Sequence, residues 1–331
     1  MKWSELDKEE KLTVLRNVRK KVKFPLYIIE KDWWVVQTLR LVSQMDIAEH
    51  IVFKGGTSLS KAWGLIDRFS EDIDLAIDRE FFGFSGEISR TKVGKLKDAS
   101  SKYISNDFLL SLQKAFDDAG IKDIRISVTD EKAPDDDPVK IEVRYPTVTQ
   151  YSDYVQPRVL LEIGSRSMIE PATVRSFRSI IGETFTDLPF ADTDVSIRCV
   201  NPERTFLEKL FLLHEEHQRP KEKMKIKGKS RHFYDIYRIT QTSYANKAIV
   251  NKELYKSIVA HRERFSKLGG VDYTSHFPPN LNPIPSAEVM PEWERDYLEI
   301  QGQMIAGNSI SFKRLLQELK RIVEIINSGM D

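Results

Sequence analysis

One cysteine, Cys199, in 331 residues leaves no material for an intramolecular disulfide framework or a cysteine-ligated zinc cluster, and it suits a reducing compartment. No apolar run approaches the roughly 20 residues that span a bilayer. The start, "MKWSELDKEEKL", is charged and reads as an ordinary helix rather than a signal peptide, so a cytoplasmic protein is expected. Net charge is also scarce: 51 Lys and Arg against 50 Asp and Glu leave +1. Any site for a polyanion must therefore come from local clustering. No internal repeat is evident. What is present is ordinary globular material, 40% hydrophobic and 31% charged, long enough for two modest domains or one domain with a helical annex.

Along the chain, residues 4–22 read as a charged amphipathic helix that stops near Pro25. "LYIIEKDWWVVQTLRLVSQM" is a far more apolar helix, with Glu30, Lys31 and Asp32 as its odd polar members. "HIVFKGG" is a short strand running into a turn. "TSLSKAWGLI" has Leu59, Ala62, Trp63 and Ile66 at helical spacing, and "DIDLAID" alternates like a strand. Residues 86–104, rich in Ser and Lys, read as a solvent-exposed connection. "NDFLLSLQKAFDDAG" is a helix ending at Gly120. "IRISVTD", "VKIEVRYP" and "RVLLEIGS" follow as strands of a meander, the first two separated by the turn-rich "APDDDP". Near residues 195–202 the character changes. "PERTFLEKLFLLHEEHQ" is an amphipathic helix with Pro202 near its start, where a missing N–H costs least. The rest is helical apart from the proline-rich loop between His276 and Pro291.

The chemistry concentrates in "FKGGTSLSKAWGLIDRFSEDIDLAID". Asp72 and Asp74 flank Ile73, so on a strand both acids share one face while Ile73 points the other way. Two like charges there call for a cation or a compensating network. Glycines at the preceding strand-to-helix turn let backbone N–H groups approach a triphosphate, with the start of the helix favouring the negative charge. Lys54, Gly55, Gly56, Thr57 and Ser58 are the candidate nucleotide contacts. Carboxylates on the next strand then hold a divalent ion that bridges phosphate oxygens and activates a hydroxyl. Such chemistry usually takes a third carboxylate from a neighbouring strand, for which Glu142 and Glu162 are both candidates.

These residues resemble the signature of the DNA polymerase β-like nucleotidyltransferase superfamily, a hydrophobic-Gly-[Gly/Ser] turn followed by D-x-D. Within it they resemble the AbiEii/AbiGii toxin family, which includes MenT-type toxins. "IEKDWWVVQTL" is similar to the family's N-terminal helix. "FKGGTSLSKAWGLIDRFSEDIDLAI" is similar to its first motif, including Arg68, Phe69, Ser70 and Glu71. "RVLLEIGSRS" resembles the strand of the third carboxylate and favours Glu162. "ERTFLEKL" and "RHFYDIYRI" resemble the motifs that supply a lysine and a last aspartate, here Lys209 and Asp235. The region after about residue 245 carries no resemblance.

The resemblance implies an α/β (α+β) nucleotidyltransferase fold, with a mixed central sheet and flanking helices over residues 1–200. A mainly helical C-terminal domain, 201–331, would contribute Lys209 and Asp235 to the site. It implies a toxin of a toxin–antitoxin or abortive-infection system that transfers NMP from an NTP, with Mg²⁺ or Mn²⁺ held by Asp72, Asp74 and Glu162. In MenT-type members the acceptor is the tRNA 3′ end, which halts translation. The expected partner is an antitoxin with a winged-helix DNA-binding domain.

Other residues keep two readings. Lys209 is either a solvated lysine at the edge of an amphipathic face or a point charge on the nucleotide phosphates. Asp235 either caps or pairs within the structure, or orients Lys209. Ser70 either contacts phosphate or caps a turn. Arg68 and Arg166 are candidate phosphate contacts. The run from Arg219 to Arg231 carries seven Lys or Arg and one Glu. It is either a solvated loop or a flexible grip on RNA through Lys221, Lys223, Lys225, Lys227, Lys229 and Arg231. His214, His217 and His232 are too loosely placed to argue for zinc. The competing functions are nucleotidylation of a small molecule or protein, and a non-catalytic nucleotide-binding interaction protein.

Overall fold

The computed structural model describes residues 3–70, 72–129, 138–151, 155–188, 192, 194–266, 268–305 and 310–329. Glu71 and most of "APDDDP" lie outside the described residues. By their contacts the residues form two compact units. The first comprises the chain up to Trp63 together with Phe69–Val200. The second comprises Gly64–Arg68 and the chain from Asn201 on.

The first unit contains α1 (Lys8–Arg19), α2 (Leu26–Val42), β1 (Ile51–Lys54), α3 (Gly55–Lys61), β2 (Asp72–Ile77), α4 (Arg90–Tyr103) and α5 (Leu109–Asp118). It continues with β3 (Arg125–Val128), β4 (Val139–Arg144), β5 (Arg158–Gly164), β6 (Ala172–Phe177), α6 (Ile180–Thr184) and β7 (Val195–Val200). The seven strands form one mixed sheet in the order β3-β4-β5-β2-β1-β7-β6. β2 runs antiparallel to β1 and parallel to β5, whereas β3, β4 and β5 make the antiparallel meander.

Strand β2 has the alternation that its sequence demands. Ile73 and Leu75 are buried in the core with Trp33, Val36 and Leu39 of α2, and Asp72 and Asp74 are half-buried. Each fully buried apolar side chain of this kind contributes about 1.5–3 kcal/mol. Three charged members of α2 are buried too, and each is satisfied. Glu30 accepts from Val148 N–H (2.8 Å) and from the hydroxyls of Thr147 and Thr149. Lys31 Nζ donates to Gln156 C=O at 2.9 Å. Asp32 pairs with Lys61 at 2.8 Å and accepts from Ile180 N–H at 2.6 Å. These three residues therefore tie loops and α3 onto the central helix.

Three local expectations change. Residues 86–104 are not simply an exposed connection: α4 spans Arg90–Tyr103, capped by Ser89 Oγ. Only Val93 and Leu96 mark it as amphipathic, and its other buried side chains are the small Ser100 and Ser101, which carry no apolar signal. Helix α3 starts at Gly55 and ends at Lys61, so Ile66 lies beyond it, in the segment that belongs to the second unit. Strands β6 and β7 extend the sheet as well. β6 has four consecutive exposed residues at a sheet edge, which removes the alternation that would betray it.

The second unit is helical: α7 (Pro202–His217), α8 (Arg231–Thr240), α9 (Ser243–Val250), α10 (Lys252–Phe265), α11 (Met290–Met304) and α12 (Phe312–Asn327). Pro202 occupies the first turn of α7. Helix α12 buries Leu315, Leu319, Ile322, Val323 and Ile326, a single helical stripe. Among the described residues no helix is long and apolar enough to cross a membrane.

Helix α7 carries His214 and His217 inside this unit, where burial pushes both imidazoles down to about 4. In the unfolded chain the value is about 6.5. A depressed base contributes stability that is complete above the unfolded value and lost as pH falls toward the folded one. Stability is expected to drop by up to about 1.4 kcal/mol per pH unit for each histidine between about pH 6.5 and 4. Equal denaturant midpoints at about pH 7 and pH 5 would contradict this.

Candidate active site

Strand register lines up the charged residues of the first unit. Lys54 on β1 lies opposite Asp74, Asp74 lies beside Glu162 on β5, and Glu162 lies opposite Lys140 on β4. The row therefore reads cation, anion, anion, cation across four strands. In the neighbouring row Asp72 lies beside Leu160, and Glu142 is one strand further away. With strands about 4.8 Å apart, Glu162 is one spacing from the D-x-D strand and Glu142 is two. Glu142 is also held by Arg144 (2.8 Å) and Arg158 (2.9 Å). Burial alone would raise its carboxyl, but these two guanidiniums bring it below the usual range. Glu162 pairs with Lys140 Nζ at 2.6 Å.

The glycine turn is shaped by Asp74. Gly55 has φ +78°, and a Cβ built there would lie 2.0 Å from Asp74 Oδ2. The absent side chain is thus the cradle in which this carboxylate sits. Gly55→Ala is expected to push Asp74 aside and to cost on the order of 1–3 kcal/mol in backbone strain. A thermal melt and a nucleotide-binding titration check this, and wild-type values in both would exclude the cradle. Gly56 follows in the first turn of α3.

The hydroxyls just beyond point inward. Thr57 and Ser58 are 1% and 2% exposed. The Thr57 hydroxyl donates to the Asp72 carbonyl and meets Ser70 Oγ at 2.9 Å. In this arrangement Thr57 locks α3 to the start of β2 rather than reaching outward as a free donor. Arg166, just past β5, is half-buried.

Oxygen-only donors such as these fit a hard divalent cation. Among the described residues, no three Asp, Glu, His or Cys side chains converge into a preformed cage. A hard divalent ion can be held by one or two carboxylates plus substrate phosphates and retained waters. Asp72 and Asp74 would supply those carboxylates, with Glu162 next to them across the β2–β5 pair.

The second unit holds its own constellation. Asp235 of α8 is completely buried and takes a bidentate grip from Arg68, with Nε at 2.6 Å and Nη2 at 2.8 Å. Lys209 of α7 meets the same carboxylate, Nζ to Oδ2, at 2.9 Å. Burial alone would raise the Asp235 carboxyl, yet Arg68 and Lys209 hold it well below the carboxylate range. Burial pushes the Lys209 ammonium down and Arg68 adds to that, while Asp235 opposes both. Arg68 and Lys209 thus share the Asp235 carboxylate inside this unit. Arg68 itself is 1% exposed and paired with Asp235, so its guanidinium is not open to solvent. Its segment is clamped by α8: Arg238 pairs with Asp67 (2.6 Å) and donates to Leu65 C=O (3.1 Å).

Sequence reasoning missed His232. Its Nδ1 lies 3.2 Å from Lys209 Nζ, and burial, ahead of the Lys209 charge, pushes the ring far below its usual value. A neutral Nδ1 can accept from the ammonium, so Lys209 is held from two sides. The available signal was position, since His232 lies three residues before Asp235 on one helix face.

In the basic run, Lys221, Lys223, Lys225 and Lys227 are exposed, and Lys229 and Arg231 half-buried. Lys221 pairs with Glu288 (3.2 Å) and Lys229 with Glu216. Among the described residues Lys223, Lys225 and Lys227 form no ion pair.

No curated protein matches. Among solved structures, the MenT4 nucleotidyltransferase toxin of Mycobacterium tuberculosis H37Rv is similar at 15% identity and a TM-score of 0.43, over 96% of this chain and 99% of that one. The family described as nucleotidyl transferase AbiEii toxin, type IV toxin–antitoxin system, matches residues 39–318. With most of its length inside that match, the chain belongs to the AbiEii family, the nucleotidyltransferase toxins of type IV toxin–antitoxin systems.

Proposed function

We propose that this toxin transfers a nucleoside monophosphate from an NTP to an RNA acceptor, the tRNA 3′ end, and so blocks translation. Its family makes it a nucleotidyltransferase that uses an NTP and is paired with an antitoxin. The observation that favours RNA over a small-molecule acceptor is the set of exposed lysines 223, 225 and 227, which have no acidic partner among the described residues. A small acceptor needs no such surface, whereas a phosphate backbone gains affinity from each cation it meets. The antitoxin is proposed to carry a winged-helix DNA-binding domain, as the resemblance implies.

In this reading Asp72 and Asp74 would hold the divalent ion, Mg²⁺ or Mn²⁺, and Glu162 would complete the acidic row. When bound, the ion neutralises charge on the phosphates and favours the ionised acceptor hydroxyl. The hydroxyl loses its proton to solvent as its oxygen attacks the α-phosphorus, the bond from that phosphorus to the bridging oxygen breaks, and pyrophosphate leaves with the electron pair. Lys54 and the backbone at Gly55 and Gly56 face the nucleotide. Lys209 supplies a point charge to the phosphates, oriented by Asp235, and Arg68 acts through Asp235. Assigning both constellations to one reaction rests on the family.

Incubation of the protein with total tRNA, Mg²⁺ and each labelled NTP in turn tests this. Label on tRNA is the expected result. Absence of transfer to any RNA, with growth unaffected on expression, overturns it, and label on a protein or small molecule moves the acceptor to that class.

A further inference from the structure

We infer that residues 221–229 form a preorganised rail for a nucleic-acid backbone, held in shape by two buried carboxylates, Glu216 and Asp296, and blind to base identity. This rests on the RNA-acceptor reading and adds to it the means of recognition. The run Lys223-Met224-Lys225-Ile226-Lys227 alternates strictly: the three lysines are exposed, and Met224 and Ile226 are half-buried. Lys223 closes a single 3-10 turn (Lys221–Lys223), and Lys227 lies in the turn that the Lys229 N–H closes on the Ile226 carbonyl at 2.8 Å. The three cations stand exposed along this bent segment, while Met224 and Ile226 turn partly away from solvent.

The segment is pinned at Lys225 and again just past Lys227. Glu216 of α7, 3% exposed, accepts Lys225 N–H at 2.5 Å and also holds Lys229 Nζ and, at 3.2 Å, Arg219. Asp296 of α11, 8% exposed, accepts Gly228 N–H at 2.6 Å, Ser230 N–H at 3.0 Å and the Ser230 hydroxyl at 2.5 Å. Gly228 makes the turn between them with φ +76°. A carboxylate is costly to bury unless strong donors surround it. Here half of the donors are backbone N–H groups of this segment, at Lys225, Gly228 and Ser230, so the energy that satisfies the acids also fixes the loop. The expected flexible grip is replaced by a loop tied at Lys225, Gly228, Lys229 and Ser230.

The face offers nothing that reads bases. From Arg219 to Ser230 there is no aromatic residue for stacking, and no Arg, Asn or Gln between Lys223 and Lys227. Lysine ammonium groups are mobile point charges suited to phosphates.

Anisotropy titrations of the full chain with equal-length U and A oligonucleotides and with total tRNA, between about 50 and 200 mM salt, test the rail. Wild type is expected to bind the two oligonucleotides within about threefold. K223Q/K225Q/K227Q is expected to weaken all three RNAs alike and to lower the salt slope by about 2, at roughly 0.7 per cation for single strands. Asp296→Asn keeps every lysine; it is expected to weaken RNA about tenfold and to speed hydrogen exchange at Lys225–Ser230, with NTP binding unchanged. An unchanged slope in the triple variant, a hundredfold preference between oligonucleotides, or wild-type RNA affinity in Asp296→Asn overturns the rail. So does a triple variant that keeps RNA but loses the antitoxin. Label transfer to tRNA by a triple variant with wild-type binding would sink the rail and leave the RNA-acceptor reading standing. A lowered slope without any transfer to RNA would do the reverse.

Discussion

Asp74→Ala is expected to lower nucleotidyl transfer at least about a thousandfold while the protein melts within a few degrees of wild type. Asp72→Ala should behave alike. A catalytic divalent ion supplies several kcal/mol of charge stabilisation, and each 1.4 kcal/mol is about tenfold in rate. Asp74 lies beside a second acid, Glu162, with Asp72 two residues away on the same face of β2. Removing one of three like charges relieves repulsion, which offsets the deleted carboxylate's own favourable interactions and keeps the stability change small. Single-turnover label transfer together with a thermal melt separates the two effects. Transfer within tenfold of wild type in a folded Asp74→Ala protein would exclude it as a metal ligand. Asp74→Glu should fare little better, because the longer acid no longer matches the space left by Gly55.

Asp235→Ala has the opposite profile, costing stability first. It strands Arg68 and Lys209, both buried, without their shared counter-charge. Breaking a buried pair by deleting one partner typically costs about 3–5 kcal/mol, or roughly 10 °C in a chain of this size. Arg68→Met in the Asp235→Ala background should restore part of that loss, because it removes one orphaned charge. If the double variant is no more stable than the single, orphaned charge is not the cause. Acid alone reproduces the defect only at low pH. The Asp235 carboxyl is held well below its unfolded value of about 3.9, so its contribution is complete above that value and is lost as pH falls through the folded one.

The two constellations were not equally legible. The D-x-D face could be read directly, since a period of two places Asp72 and Asp74 together whatever the rest of the fold does. Lys209 and Asp235 emerged by resemblance, and their contact depends on α7 packing against α8. Thr57 and Ser58 read as open donors because their position in the turn was visible and their burial was not. Arg68 read as a phosphate contact because nothing local links it to a carboxylate 167 positions away.

By itself, then, the sequence determined the strand-turn-helix-strand order, the shared face of the two aspartates, the stripe of each long helix and the alternation of the lysine run. All of these follow from short-range geometry. Only the tertiary structure decided that Glu162 rather than Glu142 stands beside Asp74, that Arg68 and Lys209 meet on Asp235, and that Glu216 and Asp296 tie down the basic segment. Each of those depends on strand register or helix packing between residues distant in sequence, set by which buried surfaces fit together rather than by any local period.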